Sequence, residues 1–339
     1  MHYKVILIAL TLELISFTKN PLQMKFLKTF LLIVTIFAYE MCLAQNTKYG
    51  YRAGINNNAI ENSFFGYEAG SEDSTAQFNS FFGHQAGRNN RGSWNTFVGR
   101  TAGLNSYGNG NCFIGARAGQ NNEAGYWNTY VGSFAGKINR GGQRNTYLGE
   151  YAGRKSAGSD NIFIGYHSGQ NTSGSGNVFI GYGAGPERNI TPGFPSVDSE
   201  DKLHIDQEPT NAPLIYGEFD NNLVRINGEF EATGGIAQNS DINAKEDIIP
   251  INYQLILDQI ASLEISEWQY KDHSAVRHIG PMAQDFYAAF GVGKNATTIS
   301  SVDADGVAFA AIKALRNENV KLLALVRQLS NRLDKIEQE

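Results

Sequence analysis

Between residues 62 and 181 one short pattern of polar and apolar positions recurs eight times. An asparagine leads each unit (Asn62, Asn79, Asn95, Asn111, Asn128, Asn145, Asn161, Asn177), and successive leaders lie 16 or 17 residues apart. Ser or Thr usually follows, then an aromatic residue, an aliphatic residue or Phe, and a glycine. Two variable residues and an Ala-Gly pair close the motif, and a polar spacer rich in Asn, Gly and Ser leads to the next unit. Asn46 opens a weaker ninth copy with Tyr49-Gly50 and Ala53-Gly54. A fixed period of this length is the mark of stacked repeats.

Adjacent side chains of an extended strand face opposite sides. The pattern therefore predicts two ladders. One is aromatic: Phe64, Phe81, Phe97, Phe113, Tyr130, Tyr147, Phe163 and Phe179. The other is Phe65, Phe82, Val98, Ile114, Val131, Leu148, Ile164 and Ile180. One ladder is expected to fill the core of the chain and the other to meet neighbouring chains. The glycine after the strand permits a turn, and Ala-Gly marks a second short strand and a second turn. No unit buries two apolar faces alone, so the units must stack. At about 4.8 Å per coil, nine coils give a rod about 43 Å long. A monomeric solenoid is the competing reading.

The pattern breaks at Pro186–Pro195. Lys202–Asp206, Leu214–Phe219 and Leu223–Gly228 then read as short strands, with Asp220-Asn221-Asn222 as a hairpin turn. Near Gly234-Gly235 glycine falls away and helix formers appear. Ile256–Ile260 and Pro281–Phe290 read as helices, and Trp268–Tyr270 as a strand. The chain is expected to be helical from Val307 to its end. Ile312, Asn319, Val326 and Leu333 fall on one heptad position, and Leu315, Leu322, Leu329 and Ile336 on the other. That spacing predicts a coiled coil over 308–339, with Asn319 setting register at a cost in stability. A single amphipathic helix packed on its own domain is the alternative.

Composition adds little helix and little charge. The 339 residues hold 18 % charged residues and 37 glycines, with a net charge of −5. An acidic chain is a poor partner for nucleic acid, which is not expected to bind. At the N-terminus, Met24–Lys28 is a short basic start, Phe30–Phe37 an apolar run, and Cys42-Leu43-Ala44 a peptidase-type ending. This is a signal-peptide pattern over 1–44, with the true start possible at Met24 and a membrane anchor as the alternative. A secreted or cell-surface protein follows, with no integral anchor in the mature chain. That chain keeps one cysteine, Cys112, so no intrachain disulfide braces it. No cofactor or metal is expected. His84 and His167 sit in variable slots and read as surface residues.

The repeats of residues 45–185 resemble in architecture the β-roll heads of trimeric autotransporter adhesins. The C-terminal resemblance is more specific. Ser240-Asp241-Ile242-Asn243-Ala244-Lys245-Glu246, then Arg277–Asp285, then Val302–Ala308 and the terminal heptads follow the order of the endosialidase-type intramolecular chaperone. That family is a self-cleaving peptidase found behind trimeric phage tailspikes and related fibres. The resemblance implies a Ser240 nucleophile, a Lys245 general base and a scissile Ser240-Asp241 bond. A serine hydroxyl needs a base to take its proton, and a buried lysine can serve. Many members have arginines where Ile242-Asn243 stand here. Without the resemblance, Ser240 reads as a turn or helix cap and Lys245 as a surface cation.

The expected architecture is a mainly β repeat stack (45–185), a β connector (186–235) and an α+β chaperone domain (236–339) ending in a coiled coil. The expected function is that of an exported homotrimeric fibre or adhesin. Its C-terminal clamp trimerises the chain and cuts itself off, and its surface or glycan target is unknown. Two alternatives stay open. One is a fibre that hydrolyses surface polysaccharide, although Glu68, Glu123 and Glu150 are isolated carboxylates. The other is a structural fibre whose chaperone does not cleave.

Overall fold

The structure is a computed structural model that describes residues 25, 29, 46–72, 75–186, 197–271 and 276–337. The signal-peptide reading lies outside the described residues, apart from Lys25 and Thr29. The chain divides into two compact units, Met1–Glu231 and Ala232–Glu339.

The first unit is a β-solenoid. Its repeat strands are β1 (Thr47–Tyr49), β2 (Ser63–Phe65), β3 (Ser80–Phe82), β4 (Thr96–Val98), β5 (Cys112–Ile114), β6 (Thr129–Val131), β7 (Thr146–Leu148) and β8 (Ile162–Ile164). After the short β9 (Thr172–Ser173) comes the last of them, β10 (Val178–Ile180). They pair in parallel, each with the next, and equivalent residues of the repeat sit side by side. The sheet is closed by β12 (Lys202–Ile205), parallel to β10, and by the antiparallel β13 (Ile215–Glu218) and β14 (Leu223–Ile226). β11 (Val197–Asp198) pairs with β9.

The aromatic ladder is the one inside. Phe64, Phe81, Phe97, Phe113, Tyr130, Tyr147, Phe163 and Phe179 are 0 % exposed. Their rings stack at 4.7–5.2 Å between centroids. The second ladder faces out: Phe82, Val98, Ile114 and Leu148 are exposed, and its other members are half-buried. The choice follows from the turn opposite the strand. Gly70 has φ +59°, and a Cβ there would lie 2.7 Å from the Phe64 ring. The coil is thus one ring wide, and a residue with a side chain does not fit.

The Ala-Gly pair does not form the second strand that the pattern suggested. Its glycine takes a left-handed conformation, which ends extended backbone, and the segment is a turn. Coils still bond to one another there, as in Gly54 N–H to the Ala69 carbonyl at 2.8 Å.

The leading asparagines form a buried polar rail. The backbone N–H of each donates to Oδ1 of the one before, from Asn62 onto Asn46 at 2.7 Å to Asn177 onto Asn161 at 3.0 Å. From Asn79 on, Nδ2 donates to a carbonyl about one coil ahead, as in Asn128 to Gly142 at 2.9 Å. Buried amides are kept only when satisfied in this way.

The second unit has three helices and a hairpin. Helix α1 (Tyr253–Ser262) is capped by Asn252, whose Oδ1 accepts from the Gln254 and Leu255 N–H groups. Strands β15 (Ser266–Trp268) and β16 (His278–Gly280) pair antiparallel. Helix α2 (Ala283–Phe290) stops at Gly291, in the left-handed region at φ 62°. Helix α3 (Ser301–Ile336) runs 36 residues and starts earlier than Val307. α1 packs on α3 and α2. Among the described residues of this unit, only Phe286, Ala310, Ala311 and Ala314 are buried hydrophobics.

Candidate functional site

Ser240 and Lys245 meet across one short turn. Asp241 caps the turn: its Oδ1 accepts from the Asn243 N–H at 3.0 Å. A single 3-10 turn, Ile242–Ala244, follows, and the Lys245 N–H bonds back to the Ile242 carbonyl at 3.2 Å. This reversal brings Lys245 Nζ to 2.6 Å from Ser240 Oγ, donating to it. The five-residue spacing thus places the two groups in contact through local chain geometry alone. Catalysis needs the bond reversed, with the hydroxyl donating to a neutral amine. Both side chains are exposed in the single chain, and burial is what favours a neutral lysine.

The Arg277–Asp285 motif is structural in its contacts. The His278 ring stacks on Trp268 at 4.7 Å and meets the edge of Tyr270 at 5.5 Å. Arg277 pairs with Glu267 across the hairpin. Asp285 lies in the first turn of α2, where a carboxylate favours the helix dipole.

The heptad residues of α3 stand open. Ile312, Leu315, Leu322, Val326, Leu329, Leu333 and Ile336 are all about half or more exposed, from 47 % to 68 %. Ile248, Ile249 and Ile279 are exposed as well. A unit of this size that leaves so many aliphatic side chains in water buries too little to be stable alone.

In the solenoid the isolated carboxylates have local partners. Glu68 is buried between Arg52 and Arg88, Glu123 pairs with Arg140, and only Glu150 stands without an ion pair among the described residues. Cys112 is half-buried, and burial pushes its thiol up, away from the reactive thiolate. Among the described residues, no group of His, Cys, Asp and Glu could hold a metal ion. No described helix is long and apolar enough to cross a membrane.

The pattern of apolar positions gave no sign of His204. It continues the aromatic ladder in register with Phe179, is 4 % exposed, and its Nδ1 has no hydrogen-bond partner. It lines a cavity of about 510 Å³ with Tyr216, Lys202, Glu200, Asp201 and Asp220. Reading β12 as one more copy of the repeat strand would have found it.

Residues 240–292 match the sequence model of the family described as chaperone of endosialidase. The matched segment opens on Ser240, holds Lys245 and the Arg277–Asp285 motif, and ends before the heptads of α3. Comparison with curated proteins returned no match, and neither did comparison with solved structures.

Proposed function

We propose that this chain is an exported homotrimeric fibre protein. Its C-terminal domain assembles three copies and then cuts the Ser240-Asp241 bond to leave the repeat head. The observation that carries this is the contact of Ser240 Oγ with Lys245 Nζ at 2.6 Å at the opening of a chaperone-of-endosialidase segment. Two apolar surfaces support the trimer: the open heptad seam of α3 and the outward ladder of the solenoid from Phe65 to Ile180. Both want a partner, and a second and third copy of the chain supply identical surfaces in register.

Assembly and cleavage are linked by solvation. In one chain the Ser240–Lys245 pair is open to water. Neighbouring copies that cover the turn remove that water, and burial is the setting in which a lysine can act as a base. The Ser240 Oγ of one copy then attacks the Ser240 carbonyl carbon of a neighbouring copy, since attack on its own carbonyl would close a four-membered ring. An ester forms as the Ser240-Asp241 C–N bond breaks, and the hydroxyl proton passes through Lys245 to the departing Asp241 amine. Water hydrolyses the ester, which frees the Ser240 carboxylate and restores the attacking hydroxyl. The dyad thus becomes active only after the clamp has closed, so an unassembled chain keeps its chaperone.

Fragment masses test the reading. Wild-type chain yields a fragment beginning at Asp241; Ser240→Ala and Lys245→Gln stay intact, yet sediment as trimers. Intact wild-type trimer leaves a structural fibre with a silent chaperone. A wild-type monomer in sedimentation overturns the proposal.

A further inference from the structure

Two columns of side chains run along the turn side of the solenoid, one just before each Ala-Gly pair and one just after it. In the first coils a carboxylate joins the cations. Arg52 and Arg88 pair with Glu68 at 3.7 and 3.3 Å, and Gln85 donates to the same carboxylate at 2.9 Å. Further along, the same columns carry Arg117, Phe134 and Tyr151 before the pair, and Lys137 and Arg154 after it. Phe134 now stands where Glu68 stood. The Arg117 guanidinium lies 5.2 Å from the Phe134 ring centre, Lys137 Nζ 5.6 Å and the Arg154 guanidinium 5.9 Å; Arg154 also lies 5.3 Å from Tyr151. Among the described residues none of these three cations has an ion pair. Burial lowers the proton affinity of Lys137, and the charges of Arg154, Arg117 and Lys155 lower it further.

Like charges gathered on an acidic protein cost stability unless an anion joins them. The first coils show what that anion does, because Glu68 fills the role there. We propose that Arg117, Lys137 and Arg154 form a binding column for a linear acidic polysaccharide, whose carboxylate or sulfate groups take the place of the missing glutamate. The coil repeat spaces the cations along the stack axis, which suits an extended polymer rather than a compact ion. Single-stranded nucleic acid needs open aromatic faces on which to lay its bases. Here Phe134 and Tyr151 stack on each other at 4.9 Å, His167 leans on Tyr151 at 4.8 Å, and the cations cover Phe134. Charge is what the column has left to offer. All of its residues belong to one chain, so the inference stands or falls apart from trimer assembly and cleavage.

The test is titration of the full chain with polygalacturonate between about 50 and 200 mM salt. Binding that weakens as salt rises is expected. Arg117→Gln with Arg154→Gln weakens it about tenfold or more, whereas Arg117→Lys with Arg154→Lys retains most of it. Arg140→Gln with Arg144→Gln removes the same charge from residues already paired, with Glu123 at 3.7 Å and Asp160 at 2.6 Å, and leaves binding unchanged. Far-UV circular dichroism establishes that each variant is folded. The proposal is overturned by absence of binding at low salt, by equal losses in the two glutamine pairs, or by tighter binding of single-stranded DNA than of polygalacturonate.

Discussion

At the residue scale, the solenoid interior is a set of polar and aromatic positions that must match within each coil. Asn128 accepts from the Asn145 N–H at 2.9 Å and donates to the Gly142 carbonyl at 2.9 Å. Asn128→Ala strands both groups where water does not reach, and a loss of about 2–4 kcal/mol in urea unfolding is expected. The ladder rings obey the same rule nine residues on. Tyr130 OH accepts from Asn139 at 2.5 Å, and Tyr147 OH donates to Ser156 at 3.1 Å. Ser106 holds the matching place for Phe97, and its buried hydroxyl has no partner. Phe97→Tyr supplies one, so the same assay should find it within about 1 kcal/mol of wild type. His204 adds a pH dependence. Burial lowers its pKa to about 4, with Asp206 opposing and Lys202 assisting; the Phe179 and Tyr216 rings pack against it at 5.0 and 5.3 Å. The unfolded chain takes up this proton near pH 6.5 and the folded chain does not. Stability is therefore full above pH 6.5 and falls as pH drops towards 4. The urea midpoint at pH 5 should lie below that at pH 7.5, by the equivalent of about 1–2 kcal/mol, and His204→Phe should narrow the gap.

At the scale of elements, periodicity was legible and sidedness was not. The Asn leaders and the paired ladders could be read directly, because each coil must offer the same residues at the same place. Alternation alone gives two faces without saying which is inward. What decides it is Gly70 and its equivalents, which leave room for one ring between strand and turn. The second buried polar column, Asn90, Ser106, Asn122, Asn139 and Ser156, read as a mere spacer, because its members differ in type from coil to coil. In the second unit α1 and α3 begin earlier than their apolar positions suggested, whereas α2 begins at Ala283, two residues after Pro281. α3 reaches back to Ser301 through Asp303, Asp305 and Gly306, residues that carry no heptad signal. The contact of Ser240 with Lys245 was legible only through family resemblance. Their types and spacing fit a surface turn equally well, and the 3-10 turn that joins them leaves no apolar trace.

At the scale of the whole molecule, the repeat that makes the head stable also makes it hard to fold. A strand displaced by one unit meets Phe with Phe and Asn with Asn, so the core penalises a slip very little. Irregular features distinguish the correct register, among them the 16- and 17-residue spacings, Glu68 between Arg52 and Arg88, and Arg144 with Asp160. Parallel coils also form slowly, because each contact closes a loop before any neighbour rewards it. On the proposed function, a C-terminal seam that trimerises first would hold three chain ends together and raise the effective concentration of matching strands. This predicts that the chaperone acts on yield more than on final stability. Ser240→Ala, which the proposed cleavage would leave uncut, is the reference. In that background, Leu322→Asp with Leu329→Asp places charges on the seam without touching the solenoid. Refolding from denaturant should then give mostly monomer and aggregate, while the soluble fraction keeps the unfolding midpoint set by the buried rings. Equal yields of assembled head with and without the seam charges would show that the solenoid finds its register unaided.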